Sequence, residues 1–231
     1  MTEAHLLNRI AAGRTDLVLD FVAPGGAASA DADGTPLLQW CAYYGDVSAV
    51  RFLLLQGETL HRLGSDLGLN AAAFHGHWQL CQFLLESSAP VNGASNNTGE
   101  TPLHSALCSA DRIRYDQAVR VLLAAGADPN AATVPGVETD AFMRDSRTKG
   151  ETPLHRAATF GTAETVQLLL DAGARREVQD ANGDTPLAWA SWYRRPADVL
   201  RLLCYGSFRI HPRYRDLHAN LVGGPLPKDA P

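Results

Sequence analysis

Apolar residues recur at helical spacing in short segments that glycine, proline and aspartate separate. Between residues 150 and 174, an alanine-containing stretch is followed by Gly161, by an apolar run from 166 to 170 and by Gly173. Apolar positions three and four residues apart predict one buried face of a helix, whereas strict alternation predicts a strand. This pattern therefore predicts two short helices joined by a turn at Gly161, the second ending at Gly173.

The first of these two helices has a clear start at Thr152 and Pro153. A threonine hydroxyl can cap free backbone N–H groups, and proline suits the first helical position because no backbone donor is needed there. Gly161 can adopt the left-handed conformation that ends a short helix. One such helix pair is too small to bury its own apolar face, so we expect it to stack on copies of itself.

The Thr-Pro-Leu opening recurs along the chain. It is found at Thr101, at Thr152 and at Thr185, and Thr35-Pro36-Leu37 is an earlier copy. Together with the helix and turn pattern, these motifs resemble the ankyrin-repeat family, whose pattern G-x-TPLHxAAxxGH…VxLLLxxGAD is matched closely by residues 150 to 174. The resemblance covers roughly residues 4 to 208.

The resemblance implies an all-α solenoid of about six helix-turn-helix repeats with finger loops between them. The expected bounds of the repeats are 4–30, 31–63, 64–96, 97–147, 148–180 and 181–208, and a C-terminal tail follows at 209–231. The first repeat lacks the motif, as expected for a terminal repeat whose outer face meets water. The third repeat has Leu67-Gly68-Leu69-Asn70 in its place.

The fourth repeat contains two insertions. Thr101 to Gly126 spans 25 residues, against 21 in the matching part of the fifth repeat, which places an insertion between its two helices. Gly126 to Thr152 spans 26 residues, against 12 after the fifth repeat, and the excess forms a long finger at 133–149. A loop of this length inside a compact repeat is either functional or disordered.

No motif in the sequence indicates catalysis, and we predict no enzyme, no metal site and no cofactor. The resemblance implies that His104 and His155 bond to backbone between neighbouring repeats. His75 and His77 fall on a repeat turn without a third metal ligand nearby in sequence. Four cysteines lie far apart at apolar positions, which favours buried reduced thiols over disulfides or a metal site: Cys41, Cys81, Cys108 and Cys204.

Composition narrows the classes of function further. Apolar residues make up 45% of the 231 residues, but no run of about 18 apolar residues predicts a membrane span. The start of the chain lacks the basic and apolar blocks of a signal peptide, so we expect a cytoplasmic protein. The formal charge of −5 argues against binding to nucleic acid. We expect a monomer.

Residues on the concave side of the array are the first candidate binding surface. In an ankyrin stack, the two residues before each turn glycine project to that side. They are Tyr43 and Tyr44, Phe74 and His75, Thr159 and Phe160, and Trp192 and Tyr193. Six of the eight are aromatic, and rigid rings suit partner anchors because they give contact area at low entropic cost. The open alternative is that one ring of each pair packs against the adjacent repeat.

The long finger is the second candidate. It combines apolar and basic residues, and those predicted to contact a partner are Val137, Phe142, Met143, Arg144, Arg147 and Lys149. An apolar knob beside a basic edge suits docking on an acidic-rimmed groove. The alternative is that Phe142 and Met143 fold back onto the stack.

These features predict a non-catalytic protein–protein interaction module that acts as an adaptor or scaffold. Its partner is a protein bound through the concave aromatic face and the finger. The alternative is a stoichiometric inhibitor, of the immunity type, that blocks a partner enzyme. More remote alternatives are an unrecognised enzyme and a single-strand nucleic-acid binder that uses aromatic stacking.

Overall fold

A computed structural model describes residues 2–95, 97–108, 112–139 and 147–207. Three of the residues predicted to contact a partner, Phe142, Met143 and Arg144, lie outside these ranges, as does the tail at 209–231. The bounds assigned to the six repeats stay a prediction.

The described residues form twelve α-helices and one small sheet. The helices are α1 (Glu3–Ala11), α2 (Val18–Val22), α3 (Leu37–Tyr43), α4 (Val47–Leu55), α5 (Leu69–Phe74), α6 (Trp78–Glu86), α7 (Pro102–Ser105), α8 (Arg112–Ala124), α9 (Pro153–Phe160), α10 (Ala163–Asp171), α11 (Pro186–Trp192) and α12 (Ala197–Leu203). Short 3₁₀ turns occupy Thr15–Leu17 and Leu60–Leu63. Strands β1 (Asp31–Ala32) and β2 (Thr35–Pro36) pair antiparallel, with Asp31 opposite Pro36.

The helices form the two layers of a solenoid. Helices α3, α5, α7, α9 and α11 contact one another in that order, and α4, α6, α8, α10 and α12 form the second layer in the same way. Leucines at equivalent positions, such as Leu53 in α4 and Leu84 in α6, are fully buried between the layers. The apolar core therefore runs along the array instead of surrounding one centre.

The predicted helix starts at Thr101 and Thr152 use the histidine three residues later. The Nδ1 atom of His155 accepts a hydrogen bond from the Thr152 N–H at 3.1 Å and lies 3.0 Å from its hydroxyl. On the other side of the ring, Nε2 lies 3.1 Å from the Asp184 carbonyl of the next repeat. His104 makes the same contacts with Thr101 and with the Glu151 carbonyl. The structural role that the resemblance implied for these histidines is confirmed.

Two local predictions were wrong. Thr35-Pro36 does not open a helix as Thr152-Pro153 does: the two residues form β2, and Pro36 occupies the N-cap position of α3. Gly161 is extended, with φ −70° and ψ 162°, instead of left-handed. The reason is that α9 continues through Phe160, so that only Gly161 and Thr162 separate it from α10. Glycine is needed there because an added Cβ would lie 2.6 Å from the Ala157 carbonyl oxygen.

The first insertion of the fourth repeat changes the lengths and spacing of its helices. Six residues separate α7 from α8, against two between α9 and α10, so the two helices of this repeat are four residues further apart in sequence. Helix α7 has four residues where α9 has eight, and α8 has 13 where α4, α6 and α10 have nine each. The extra residues were expected near 109–114, and of these 109–111 lie outside the described residues.

Candidate functional site

The ends of α3 and α5 bring one group of predicted rings together. Tyr43 lies 4.8 Å from His75 between ring centroids, and His75 lies 5.3 Å from Phe74. Tyr43 is also 5.0 Å from Tyr44. Because the helices that carry them are neighbours in one layer, rings from different repeats come into contact. We call Tyr43, Tyr44, Phe74 and His75 the first aromatic cluster.

Within this cluster Tyr44 contacts the preceding repeat. Its hydroxyl donates a hydrogen bond to the Ala11 carbonyl at 2.9 Å, and its ring lies 3.2 Å from the position that a Cβ on Gly13 would take. Tyr43, by contrast, is 50% exposed. The alternative of packing between repeats therefore holds for Tyr44, and Tyr43 is the more available ring.

A second group of predicted rings lies at the C-terminal end of the described array. Phe160 and Tyr193 are 6.2 Å apart between centroids, and Trp192 is 77% exposed. Thr159 was expected on the same surface but is buried, because α9 extends to Phe160, and its hydroxyl bonds to the His155 carbonyl. We call Phe160, Trp192 and Tyr193 the second aromatic cluster.

The base of the finger rests on three buried charges, Glu100, Glu151 and Arg156, which we call the ionic triad. The guanidinium of Arg156 is 2.7 Å from a Glu100 oxygen and 2.6 Å from a Glu151 oxygen, and its side chain is fully buried. The same group also donates to the His104 carbonyl at 3.2 Å. The triad therefore ties the fourth repeat to the fifth.

Burial and neighbouring charges have opposite effects on the pKa values of Glu151 and Arg156 in the ionic triad. Burial by itself would raise the pKa of Glu151, but the charge of Arg156 and hydrogen bonds outweigh it and lower that pKa to about 2. Burial opposes the charge of Arg156 too, yet the nearby Cys108 sulfur and the two carboxylates raise the pKa of its guanidinium. Burial and the nearby guanidinium lower the pKa of His104 to about 3, so this ring is neutral. One guanidinium thus lies between two carboxyl groups.

The triad also positions both ends of the finger. Glu151 accepts hydrogen bonds from the Thr133 hydroxyl and from the Lys149 N–H, each at 2.7 Å. Glu100 accepts one from the Thr139 hydroxyl, also at 2.7 Å. The first and last parts of the finger are therefore attached to the same buried group.

The described finger side chains do not all face solvent freely. Arg147 lies 3.5 Å from Glu138, and both side chains are mainly exposed. The ammonium group of Lys149 is 5.7 Å from the centre of the Trp189 ring. Val137 is half-buried, whereas Val134 is 47% exposed. Both predicted basic residues that are described thus have an interaction within the chain.

A cavity of about 720 Å³ separates the finger from α5. Its lining includes two members of the first aromatic cluster and two residues of the finger, along with carboxylates from two repeats: Phe74, His75, Val137, Glu138, Asp66 and Glu100. We call it the finger cavity. It brings together the two surfaces that the sequence suggested separately.

A smaller cavity of about 410 Å³ lies beside the other part of the finger. It is lined by Arg147 and Lys149, with Pro135 on the finger and Asn182 from the following loop. Arg147 and Lys149 therefore line a different cavity from Val137, Phe74 and His75.

Sequence reasoning missed two carboxylates of the finger cavity, Asp66 and Glu100. They belong to a series, with Glu151 and Asp184, in which an acidic residue precedes the first residue of a Thr-Pro-Leu motif or of its substitute in the third repeat. A search for charges at a fixed offset from the motif would have found this series. The spacing, however, does not show that Arg156 forms ion pairs with both Glu100 and Glu151.

Neither a metal centre nor a membrane span was found in the described part of the chain. No group of three or more His, Cys, Asp or Glu side chains there could hold a metal ion. None of the helices described is both long and apolar enough to cross a membrane.

Comparison with known proteins agrees with the architecture. Residues 38–133 and 135–214 match the family described as Ankyrin repeats (3 copies). The chain is 42% identical over 94 residues to Rabankyrin-5 of Mus musculus, which is 41% of this chain and 8% of that protein. It is 32% identical over 162 residues to Ankyrin repeat and SOCS box protein 16 of Homo sapiens, covering 67% and 32% of the two chains. It is 29% identical over 187 residues to Ankyrin repeat and SOCS box protein 3 of Bos taurus, covering 70% and 35%. The chain thus spans at most about a third of these relatives.

Proposed function

The chain belongs to the ankyrin-repeat family, whose repeats are generally protein–protein interaction modules, and we propose that it is a non-catalytic module of this kind, acting as an adaptor or scaffold. The partner is a protein, bound across the concave aromatic face and the long finger. We further propose that the chain is a cytoplasmic monomer that does not bind nucleic acid. Its buried free cysteines favour a reducing compartment.

The finger cavity is the observation that carries this proposal. Phe74 and His75 from the concave face and Val137 from the finger line the same space. A volume of about 720 Å³ falls within the range of about 300–1,000 Å³ that is typical of ligand pockets. A partner segment placed there contacts both candidate surfaces at once.

Exposed rings of the two aromatic clusters supply the expected anchors. Tyr43 is 50% exposed and Trp192 is 77% exposed. Interface hot spots are enriched in tryptophan and tyrosine. Removal of such an anchor costs about 2 kcal/mol or more of binding free energy, which is roughly a 30-fold loss of affinity.

The fixed base of the finger favours tight binding. Glu100 and Glu151 hold Thr133, Thr139 and Lys149 in place before any partner arrives. A loop that is already ordered at its base loses less conformational entropy on binding. The triad is therefore a structural support for the binding surface, and we assign Arg156 and Glu151 no contact with the partner.

The test is capture of the partner followed by affinity measurement. The tagged chain is used to isolate proteins from an extract of its source, and the captured protein is then purified and titrated against the chain by calorimetry. Tyr43→Ala and Trp192→Ala should each weaken binding by about 30-fold or more. Leu55→Ala is the matched control, because Leu55 is 82% exposed but lies on α4 in the other helix layer.

The interface lies elsewhere if all three variants lose affinity equally. It also lies elsewhere if Tyr43→Ala and Trp192→Ala bind the partner as tightly as the wild type. The inhibitor alternative is settled by the same material. If the partner is an enzyme, its activity is assayed with increasing amounts of the chain. Complete loss of activity at a one-to-one ratio would identify an inhibitor, and unchanged activity would support an adaptor.

A further inference from the structure

The lining of the finger cavity is chemically specific. Besides the aromatic wall, it contains three carboxylates, Asp66, Glu100 and Glu138, and no lysine or arginine among its described lining residues. We propose that this cavity accepts an arginine side chain of the partner protein, an assignment that rests on the proposed function and adds the chemistry of the bound segment.

Among the described residues, the negative charge of the cavity is only partly balanced. Asp66 accepts hydrogen bonds from the N–H groups of Gly68 and Asn70 and from the Asn70 side chain, at 2.9 to 3.1 Å, and all three donors are uncharged. Glu100 shares the guanidinium of Arg156 with Glu151. Glu138 pairs with Arg147 at 3.5 Å, in an exposed position where such a pair is weak. A cation entering the cavity therefore gains attraction from all three.

The aromatic wall distinguishes arginine from other cations. Phe74 and His75 are both half-buried, and their rings meet edge to face at 5.3 Å. A planar guanidinium can stack on a ring while its N–H groups donate to carboxylates at the side. A lysine ammonium is a more strongly hydrated point charge and loses more on leaving water. Planar stacking and forked donation therefore favour arginine over lysine here.

The size of the cavity indicates a segment of chain and not an isolated side chain. At about 720 Å³ it exceeds what one arginine fills, and polar residues of the loop before α7, Ser95 and Thr98, line it as well. These groups can bond to the backbone on either side of the arginine. The bound element is therefore a short stretch of polypeptide with arginine at its centre.

A pair of matched peptides tests this assignment without knowledge of the partner. The full chain, labelled with ¹⁵N, is titrated at low salt with acetyl-Gly-Arg-Gly-amide and with the same peptide containing citrulline, which keeps the shape and lacks the charge. We expect the arginine peptide to shift the amide signals of Asp66, Asn70 and Glu138. Its affinity should exceed that of the citrulline peptide at least fivefold and decrease as salt is added.

Three variants locate the binding. Asp66→Asn and Glu138→Gln should each weaken the arginine peptide about two- to fivefold, the range for one partly exposed charge. Arg147→Gln is the control for Glu138→Gln: it breaks the same ion pair but leaves the carboxylate, so affinity should be unchanged or higher. Circular dichroism confirms that each variant is folded. Equal binding of the two peptides, tighter binding of a lysine peptide, or parallel losses in Arg147→Gln and Glu138→Gln would overturn the assignment.

The captured partner separates this inference from the proposed function. If partner binding is lost in Tyr43→Ala but unchanged when Asp66→Asn and Glu138→Gln are combined, the arginine assignment is wrong and the proposed function stands. The opposite outcome is that arginine peptides bind at the cavity, but substitution of Tyr43, Trp192 or both carboxylates leaves the affinity for the captured protein unchanged. The cavity chemistry then stands and the proposed interface is wrong.

Discussion

Arg156→Met is the most informative change in stability, because it removes the guanidinium that Glu100 and Glu151 share. The Arg156 side chain is fully buried, and those of Glu151 and Glu100 are 2% and 12% exposed. Removing one partner of a buried ion pair typically costs about 3–5 kcal/mol, since the remaining charge stays buried without compensation. The lowering of the Glu151 pKa from 4.5 to about 2 gives a similar figure of about 3 kcal/mol. We therefore expect about 3 kcal/mol of lost unfolding free energy at pH 7.

The contribution of Glu151 to the unfolding free energy should depend on pH in opposite directions in the wild type and in Arg156→Met. In the wild type the folded pKa of Glu151 lies below its ordinary value, so its contribution is complete above pH 4.5 and is lost as pH falls toward 2. In Arg156→Met, burial without the cation raises the pKa of Glu151. The cost of burying the Glu151 charge is then present at neutral pH and is relieved when acid protonates the group. The difference between the two proteins should consequently be largest at pH 7 and smaller at pH 4.

Urea unfolding followed by circular dichroism at pH 7 and pH 4 measures both effects, with a second spectroscopic probe to check that the transitions coincide. Arg120→Met is the matched control. Arg120 pairs with Glu164 between α8 and α10, joining the same two repeats, but these side chains are 44% and 64% exposed. An exposed pair contributes about 0–1 kcal/mol. If Arg156→Met differs from Arg120→Met by less than about 1 kcal/mol at pH 7, the triad is not the support described here.

Further predictions concern local packing and the thiols. Gly161→Ala should destabilise the fold by about 1–3 kcal/mol, measured by urea unfolding, because the new methyl group meets a backbone carbonyl oxygen of α9. Unchanged stability in that variant would contradict the close approach. Tyr44→Phe should cost about 1 kcal/mol by deleting the hydrogen bond to the first repeat. Calorimetry should show partner affinity unchanged in this variant, and a large loss would place Tyr44 in the interface. In native protein at pH 8, a disulfide reagent should modify Cys204 first, since it is partly exposed and thiolate is the reactive form. Burial raises the pKa of the Cys41 and Cys81 thiols to about 12, and rapid modification of more than one thiol would contradict their burial.

Local chemistry accounts for the parts of the fold that could be predicted. The threonine, proline and histidine of the motif lie close together in sequence, and the structure shows them starting α7 and α9 as expected. Gly161 shows where such reasoning fails. Its conformation depends on how far α9 continues, and helix length is decided by packing as well as by the residue at the turn.

The candidate site was predictable in position but not in arrangement. Counting back from the turn glycines identified Tyr43 and Trp192, which are exposed, but it could not show that Tyr44 bonds to the first repeat. The finger was evident from its length alone. That its base rests on Glu100 and Glu151 could not be read from spacing.

By itself the sequence determined that helix pairs would stack into an array, because each repeat encodes its own caps, turns and apolar stripe. The tertiary structure decided which side chains meet between repeats. Arg156 contacts Glu100 across 56 residues of chain, and Val137 shares a cavity with Phe74. The repeat pattern does not predict such contacts, since they depend on how neighbouring repeats pack and on where an inserted loop returns to the stack.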